Sequence, residues 1–253
     1  FPVRKDEMLN NQCKRAIEQA LQQHPGDVLV FLPGRREIQA LQKLLEPLAN
    51  TCLQVLPLHG DLPIEQQSQV LHATPEGIRR IVLASNVAES SVTLPSVRVV
   101  IDSGLAREPR FDPNSGFSRL DLVTISQASA DQRAGRAGRV SAGFCYRLWP
   151  ASQRLEAMRR AEIQHSELTS LALELASWGS SDLPFVDAPP IGPWQAAKDL
   201  LRSLGALDAQ QSITPLGKKM LRLGTHPRLA AMLIATHTTQ EQALACDLAA
   251  LIE

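Results

Sequence analysis

Residues 27–34 read Asp27-Val-Leu-Val-Phe-Leu-Pro-Gly34, and this stretch decides the fold class. Its apolar run is continuous rather than alternating, which is typical of a strand buried on both faces of a sheet. Proline and glycine then end the strand. The apolar residues that follow lie at helical spacing: Ile38, Leu41, Leu44, Leu45 and Leu48. A buried strand followed by an amphipathic helix indicates a βα unit of a parallel sheet.

The same alternation of strand and helix continues outward to about residue 150. Further short β-branched runs predict strands at residues 53–58, 80–84, 97–102 and 144–148, with a helix near residues 65–71. Between residues 105 and 125 the pattern changes, because two extended arms flank the turn-rich Asp112-Pro-Asn-Ser-Gly116. We therefore expect an α/β domain with a parallel sheet and a β-hairpin insertion.

Strand signals nearly vanish after Pro150. The pattern predicts helices at residues 166–178, with Ser166 as the cap, and at 194–204, after an irregular stretch at 182–193. A short wing at 206–213 and a helix at 215–223 follow. This order is that of a winged-helix unit. Two more helices begin at Pro227 and Thr239, so the predicted domains are 1–150, 151–223 and 224–253.

Composition excludes several classes of protein. The 253 residues carry 26 basic and 26 acidic side chains, which argues against a purely electrostatic nucleic-acid binder. No apolar run approaches the ~20 residues of a membrane span, and no signal peptide is evident, so we expect a cytoplasmic protein without membrane contact. The four cysteines lack metal-ligand spacing, which predicts free thiols and no metal site.

The ends of the chain and its surface carry further expectations. The chain opens on Phe1 without a methionine and closes at Glu253 within a helical pattern, which predicts a piece of a longer protein. No feature of the sequence indicates an oligomer.

The strongest functional signal is Gln132-Arg-Ala-Gly-Arg-Ala-Gly-Arg139. In a helix, Gln132, Arg136 and Arg139 share one face, whereas Arg133 points roughly 100° away. Arginine forks suit phosphate oxygens, and a pair aimed at a triphosphate stabilises a leaving γ-phosphoryl group. We interpret this face as half of a nucleotide-hydrolysing site. The alternative is an arginine-rich solvated surface.

Two glycines within this run support a ligand close to the backbone. Gly135 and Gly138 each cost about 1 kcal/mol relative to alanine inside a helix, so helix stability alone does not explain them. We expect a large group to approach the backbone there.

Three other stretches have weaker signals. The polar loop from Ala84 to Thr93 follows a predicted strand, where α/β folds bind ligands, although alone it could be an ordinary loop. Arg35 and Arg36 open a helix and suit a phosphate backbone, but exposed arginines are common in first turns. His59 favours a packing or hydrogen-bonded role over that of a general base.

Taken in order, these stretches resemble motifs IV, V and VI of DEAH-box superfamily 2 helicases. The motifs are Val28 to Gly34, Ser85-Asn-Val-Ala-Glu-Ser-Ser-Val-Thr93, and Gln132 to Arg139. Details such as Val100-Ile-Asp-Ser-Gly104 resemble the bacterial HrpB-like branch. The resemblance runs along the whole chain. It implies a second RecA-like domain, a winged-helix domain and the start of a helical bundle.

The resemblance also implies roles for individual residues. Gln132, Arg136 and Arg139 are expected to reach the γ-phosphate of ATP across a cleft. Ser91 and Thr93 are expected on the nucleotide side of motif V. Contacts to the sugar-phosphate backbone of a single strand, with RNA favoured, fall to Gly34, Arg35, Ser85 and Asn86. The hairpin at 105–125 would separate or steer strands.

The chain also departs from the family pattern. It has no phosphate loop and no Asp-Glu-x-His box, so ATP and Mg²⁺ would be held by a first RecA-like domain in cis. These residues alone are therefore expected to be inactive. We predict the carboxyl-terminal portion of an ATP-dependent helicase or translocase. The alternative is a non-catalytic nucleic-acid adaptor built on a degenerate RecA-like lobe.

Overall fold

The computed structural model describes most of the chain, namely residues 1–2, 7–72, 77–90, 94, 96–112, 116–139, 141–179 and 183–252. The chain divides into two compact units. The first comprises Phe1–Glu108 and Leu120–Arg159, and the second Pro109–Arg119 and Arg160–Glu253. None of the helices in these described ranges is long and apolar enough to cross a membrane.

Within the part of the chain that the structure describes, seven strands form the β structure. They are β1 (Asp27–Phe31), β2 (Leu53–Leu58), β3 (Arg79–Ala84), β4 (Val97–Asp102), β5 (Leu105–Asp112), β6 (Phe117–Thr124) and β7 (Phe144–Arg147). Five of them form a parallel sheet in the order β2-β3-β1-β4-β7, and β5 pairs with β6 in a separate two-stranded sheet. The predicted parallel sheet and hairpin are thus confirmed, with strand bounds within one residue of the prediction.

Strand β1 lies at the centre of the sheet and is buried along its whole length. Val28, Val30 and Leu32 pack in the apolar cluster on one side, whereas Leu29 and Phe31 belong to the cluster on the other. Covering both faces removes the need for polar residues at alternate positions. This is the physical reason for the continuous apolar run in the sequence.

Helices cover the sheet within the first unit. They are α1 (Leu9–Gln23), α2 (Arg35–Leu45), α3 (Ile64–Leu71), α4 (Val87–Ser90) and α5 (Gln127–Ala134). The predicted helix after β1 is confirmed, and its last turn tightens into a 3₁₀ helix at Glu46–Leu48. Helix α1 was not predicted, because its buried side consists largely of small and polar residues such as Gln12, Cys13 and Ala16.

The second unit is mainly helical. Its helices are α6 (Thr169–Trp178), α7 (Ile191–Ser203), α8 (Pro215–Arg222), α9 (Pro227–Ile234) and α10 (Thr239–Ile252). A single bridge between Leu207 and Ile213 forms the predicted wing. The order of helix, helix, wing and helix is that of the predicted winged-helix unit.

Two boundaries predicted for the second unit are wrong. Ser166 does not cap α6, because the helix begins at Thr169, whose backbone N–H donates to the carboxylate of Glu167 at 2.8 Å. Helix α7 begins at Ile191, inside the stretch expected to be irregular. Pro193 is tolerated there because the first turn of a helix needs no intrahelical N–H donor.

Candidate nucleotide-facing and nucleic-acid-facing site

The residues predicted to contact a nucleic-acid backbone follow neighbouring strands at one edge of the sheet. Phe31 pairs with Ala84 at the carboxyl ends of β1 and β3. Gly34 and Arg35 come after β1 at the start of α2, and Ser85 and Asn86 come directly after β3. The structure therefore brings the two pairs of residues predicted to contact a nucleic-acid backbone, Gly34 with Arg35 and Ser85 with Asn86, to the same edge of the sheet. This edge is where open α/β sheets bind ligands.

The side chains at this edge differ in exposure. The Arg35 side chain is 59% exposed, and its guanidinium lies 4.0 Å from the carboxylate of Asp61. Asn86 is exposed, whereas Ser85 is nearly buried and its backbone N–H donates to the carbonyl of Leu58 at 3.1 Å. The side chains of Arg35 and Asn86 are thus accessible from solvent. The hydrogen bond from the Ser85 backbone to Leu58 fixes Ser85 to the end of β2.

Gly34 has a packing role at the start of α2. A Cβ atom at this position would lie 3.0 Å from Cδ of Arg107, whose guanidinium pairs with Glu37 at 2.8 Å. The stem of Arg107 therefore occupies the space of a side chain, and the backbone at Gly34 is brought close to a cation.

His59 follows β2 at the same edge and is buried. Burial, together with nearby Arg35, lowers the pKa of His59, although Asp61 opposes this shift. Within the described residues, Nδ1 of His59 has no hydrogen-bond partner, and it lies 3.9 Å from the Asp61 carboxylate. Burial thus favours the neutral form of this side chain, and the packing or hydrogen-bonded role favoured from the sequence stays a prediction.

The predicted helical face of Gln132, Arg136 and Arg139 is wrong. Helix α5 ends at Ala134, and the chain continues in tight turns in which the N–H of Arg136 donates to Arg133 at 3.0 Å. Two glycines weaken the helix there. The turns also bury Ala137 in the apolar cluster of Leu29 and Phe31, so leaving the helix gains packing against the sheet.

The turns nevertheless bring both predicted phosphate-binding arginines to one place. Arg136 is buried and Arg139 is exposed, and together with Ala88 and Leu94 both surround a space too narrow for a water molecule. Burial and the neighbouring Arg139 lower the pKa of Arg136, against the effect of Glu89. Its guanidinium still carries a positive charge, because arginine is effectively always protonated in proteins. Gln132 lies on the exposed side of α5.

The two glycines of this run are not required by their neighbours. A Cβ atom at Gly138 would meet no other described atom within 4 Å, and one at Gly135 would make only ordinary contacts at 3.4 Å. Neither residue has a positive backbone φ. The group expected from the sequence to approach this backbone therefore has no counterpart among the described residues.

Arg133 is the residue that the sequence analysis missed. It is 1% exposed, and it donates to Glu89 and Asp102, both at 2.9 Å. A third hydrogen bond reaches the carbonyl of Leu105 at 3.3 Å, and the guanidinium lies 4.8 Å from the ring centre of Phe31. The available signal was an aspartate ending a buried strand, because a buried carboxylate requires a cation.

Two predicted nucleotide-side residues, Ser91 and Thr93, lie outside the described residues. Helix α4 is described; it lies within the stretch predicted as a polar loop and packs against α5. Its residue Glu89 contacts both Arg133 and Arg136: the carboxylate accepts from Arg133, and the backbone carbonyl accepts from Arg136. The structure thus joins the loop after β3 to the arginine motif.

Comparisons with known proteins agree with the fold. Residues 9–141 match the model of the helicase conserved C-terminal domain, and residues 199–224 match that of the winged-helix helicase-associated domain (HA2). The chain is 39% identical over 258 residues to a protein of Escherichia coli (strain K12) named ATP-dependent RNA helicase HrpB. That alignment covers 100% of this chain and 32% of the relative.

Two crystal structures are also similar. One, of the Escherichia coli DEAH/RHA helicase HrpB, has a TM-score of 0.90 at 38% identity, covering 99% of this chain and 33% of the other. The second, of the E. coli DExH-box NTPase HrpB, has a TM-score of 0.84 at 39% identity, covering 99% and 32%. The chain therefore spans about a third of the length of the relatives it matches. It belongs to the helicase conserved C-terminal domain family, as a DEAH-box, HrpB-like carboxyl-terminal part.

Proposed function

We propose that this chain is the part of an ATP-driven RNA helicase or translocase that closes onto ATP bound by another domain. The observation that carries the proposal is the pair of Arg136 and Arg139, which lie close together beside the segment that follows β3. Together with Gln132, these arginines would stabilise the negative charge that develops on the γ-phosphoryl group during transfer. Arg133 pairs with the buried Asp102, and its proposed role is to hold the motif in place without contacting the nucleotide.

The other half of the nucleotide site belongs to a different lobe. No phosphate loop occurs in the sequence, and the described residues contain no group of His, Cys, Asp and Glu arranged to hold a metal ion. We place ATP and Mg²⁺ on a first RecA-like domain in cis, within a longer protein. Without that lobe, the 253 residues bind ATP weakly and do not hydrolyse it.

The single strand runs along the carboxyl edge of the sheet. Backbone contacts come from Gly34, Arg35, Ser85 and Asn86, and the joint position of these four residues after β1 and β3 supports this assignment. The nucleotide-side role of Ser91 and Thr93, which lie outside the described residues, rests on the motif alone. Contacts of this kind address phosphate and sugar, so they carry little base specificity.

The proposed function implies three domains. We propose a second RecA-like domain over 1–150, a winged-helix domain over 151–223, and the start of a helical bundle over 224–253. The match of residues 199–224 to a winged-helix domain supports the middle assignment.

Steady-state ATP turnover, with and without single-stranded RNA, tests this proposal. The longer protein should hydrolyse ATP faster when RNA is present, and the 253-residue chain should be inactive under both conditions. A longer protein that binds RNA without hydrolysing ATP would overturn the proposal and favour the non-catalytic adaptor.

A further inference from the structure

Glu89 on helix α4 contacts two arginines of the motif, Arg133 within α5 and Arg136 in the turns that follow it. Its carboxylate accepts a hydrogen bond from Nε of Arg133 at 2.9 Å, and its backbone carbonyl accepts one from Nη2 of Arg136. The Glu89 side chain is 17% exposed and that of Arg133 is 1% exposed. The pair is therefore largely removed from water, where a charge-assisted hydrogen bond is strong.

The same helix is tied to the edge that is proposed to bind the strand. Its first turn is closed by the carbonyl oxygens of Ser85 and Asn86, which accept from the N–H groups of Ala88 at 3.3 Å and Glu89 at 2.9 Å. The peptide groups on either side of Glu89 thus link Asn86 on one side to Arg136 on the other. A displacement of Asn86 reaches the Arg136 guanidinium through a single residue.

Arg133 gives this link a fixed support. Its guanidinium also bonds Asp102, which is fully buried at the end of β4, and the carbonyl of Leu105. The Glu89 carboxylate is therefore paired with a group that is itself held by Asp102 and Leu105, which fixes the position of α4 beside the arginine motif. Coupling between sites is carried by such contiguous hydrogen-bond and ion-pair networks.

We propose that Glu89 is a positioning residue that orients Arg136 in response to strand binding at Ser85 and Asn86. It touches neither nucleotide nor strand, and it acts through Arg136. This inference rests on the proposed function. It adds one residue, Glu89, through which binding of a nucleic-acid strand at the carboxyl edge of the sheet would change the orientation of Arg136.

The test is Glu89→Gln in the longer protein. The amide keeps the shape of the side chain but removes the charge from its pairing with Arg133. We expect kcat at saturating RNA to fall on the order of tenfold, while KM for ATP and the Kd for RNA stay within about twofold. Glu18→Gln on α1 is the matched control, because that acid is 44% exposed and contacts Lys14 only at 4.0 Å.

A double-mutant cycle with Arg136→Lys separates positioning from a merely structural role. If Glu89 acts through Arg136, the double variant loses hardly more kcat than Arg136→Lys alone, since coupled residues are non-additive. If the two fold-losses multiply, or if RNA affinity falls as much as kcat, the inference is overturned while the proposed function stands. A wild-type protein without RNA-stimulated turnover would overturn both.

Discussion

Replacing Arg133 by methionine should destabilise the first unit more than any surface change can. The guanidinium is 1% exposed and makes hydrogen bonds to Glu89, Asp102 and Leu105. Methionine fills much of the volume but leaves the Asp102 carboxylate buried without its cation. Removing one partner of a buried ion pair costs about 3–5 kcal/mol, so we expect a loss of this size in the free energy of unfolding.

Urea denaturation followed by circular dichroism measures this loss. The matched control is Arg147→Met, because the side chains of its ion pair with Asp131 are 39% and 60% exposed, and solvent-exposed pairs add little to stability. Adding Asp102→Asn to Arg133→Met should recover part of the stability, since the second change removes the stranded charge. A loss below about 1 kcal/mol for Arg133→Met would refute the reasoning that this arginine neutralises buried carboxylates.

Two further predictions concern groups away from the arginine motif. Cys13 is buried, and burial raises the pKa of its thiol to about 12. At pH 8 a thiol reagent should therefore label the exposed Cys52 and Cys246 rapidly, but Cys13 only on unfolding. Rapid labelling of Cys13 in the folded chain would contradict its burial. Burial raises the pKa of Glu167, but hydrogen bonds from His226 and from Thr169 outweigh it and lower that pKa overall. Because the pKa of Glu167 is lower in the folded state than in the unfolded state, ionised Glu167 stabilises the folded state above about pH 4.5. This stabilisation is lost as the pH falls through the pKa that Glu167 has in the folded state. Glu167→Gln should therefore flatten the acid side of the stability profile, and an unchanged profile would contradict the assignment.

The sheet could be predicted from the sequence because its central strands are buried on both faces. The run of β1 is apolar from Val28 to Leu32, and that of β4 is apolar from Val99 to Ile101; Pro33 ends the first and Asp102 the second. The hairpin of β5 and β6 was predictable from its turn residues. These signals are local, and burial in a parallel sheet does not alter them.

The arginine motif could be predicted in composition but not in conformation. Periodicity places Gln132, Arg136 and Arg139 on one helical face, yet the chain leaves the helix at Gly135 so that Ala137 packs against the sheet. The role of Arg133 was equally hidden, because its partners Glu89 and Asp102 lie 44 and 31 residues away in the chain. Packing between distant segments decided both outcomes, and helical periodicity carries no information about it.

Arg139→Ala in the longer protein tests the central claim most directly. Arg139 is exposed, so its removal should leave the unfolding transition unchanged. An arginine that stabilises a transferring phosphoryl group is worth about 10³-fold or more in rate, and RNA-stimulated ATP turnover should fall by at least that factor. Arg154→Ala, a change at another exposed arginine, is the control and should keep full turnover. RNA-stimulated turnover of Arg139→Ala within about twofold of the wild-type rate would contradict the account.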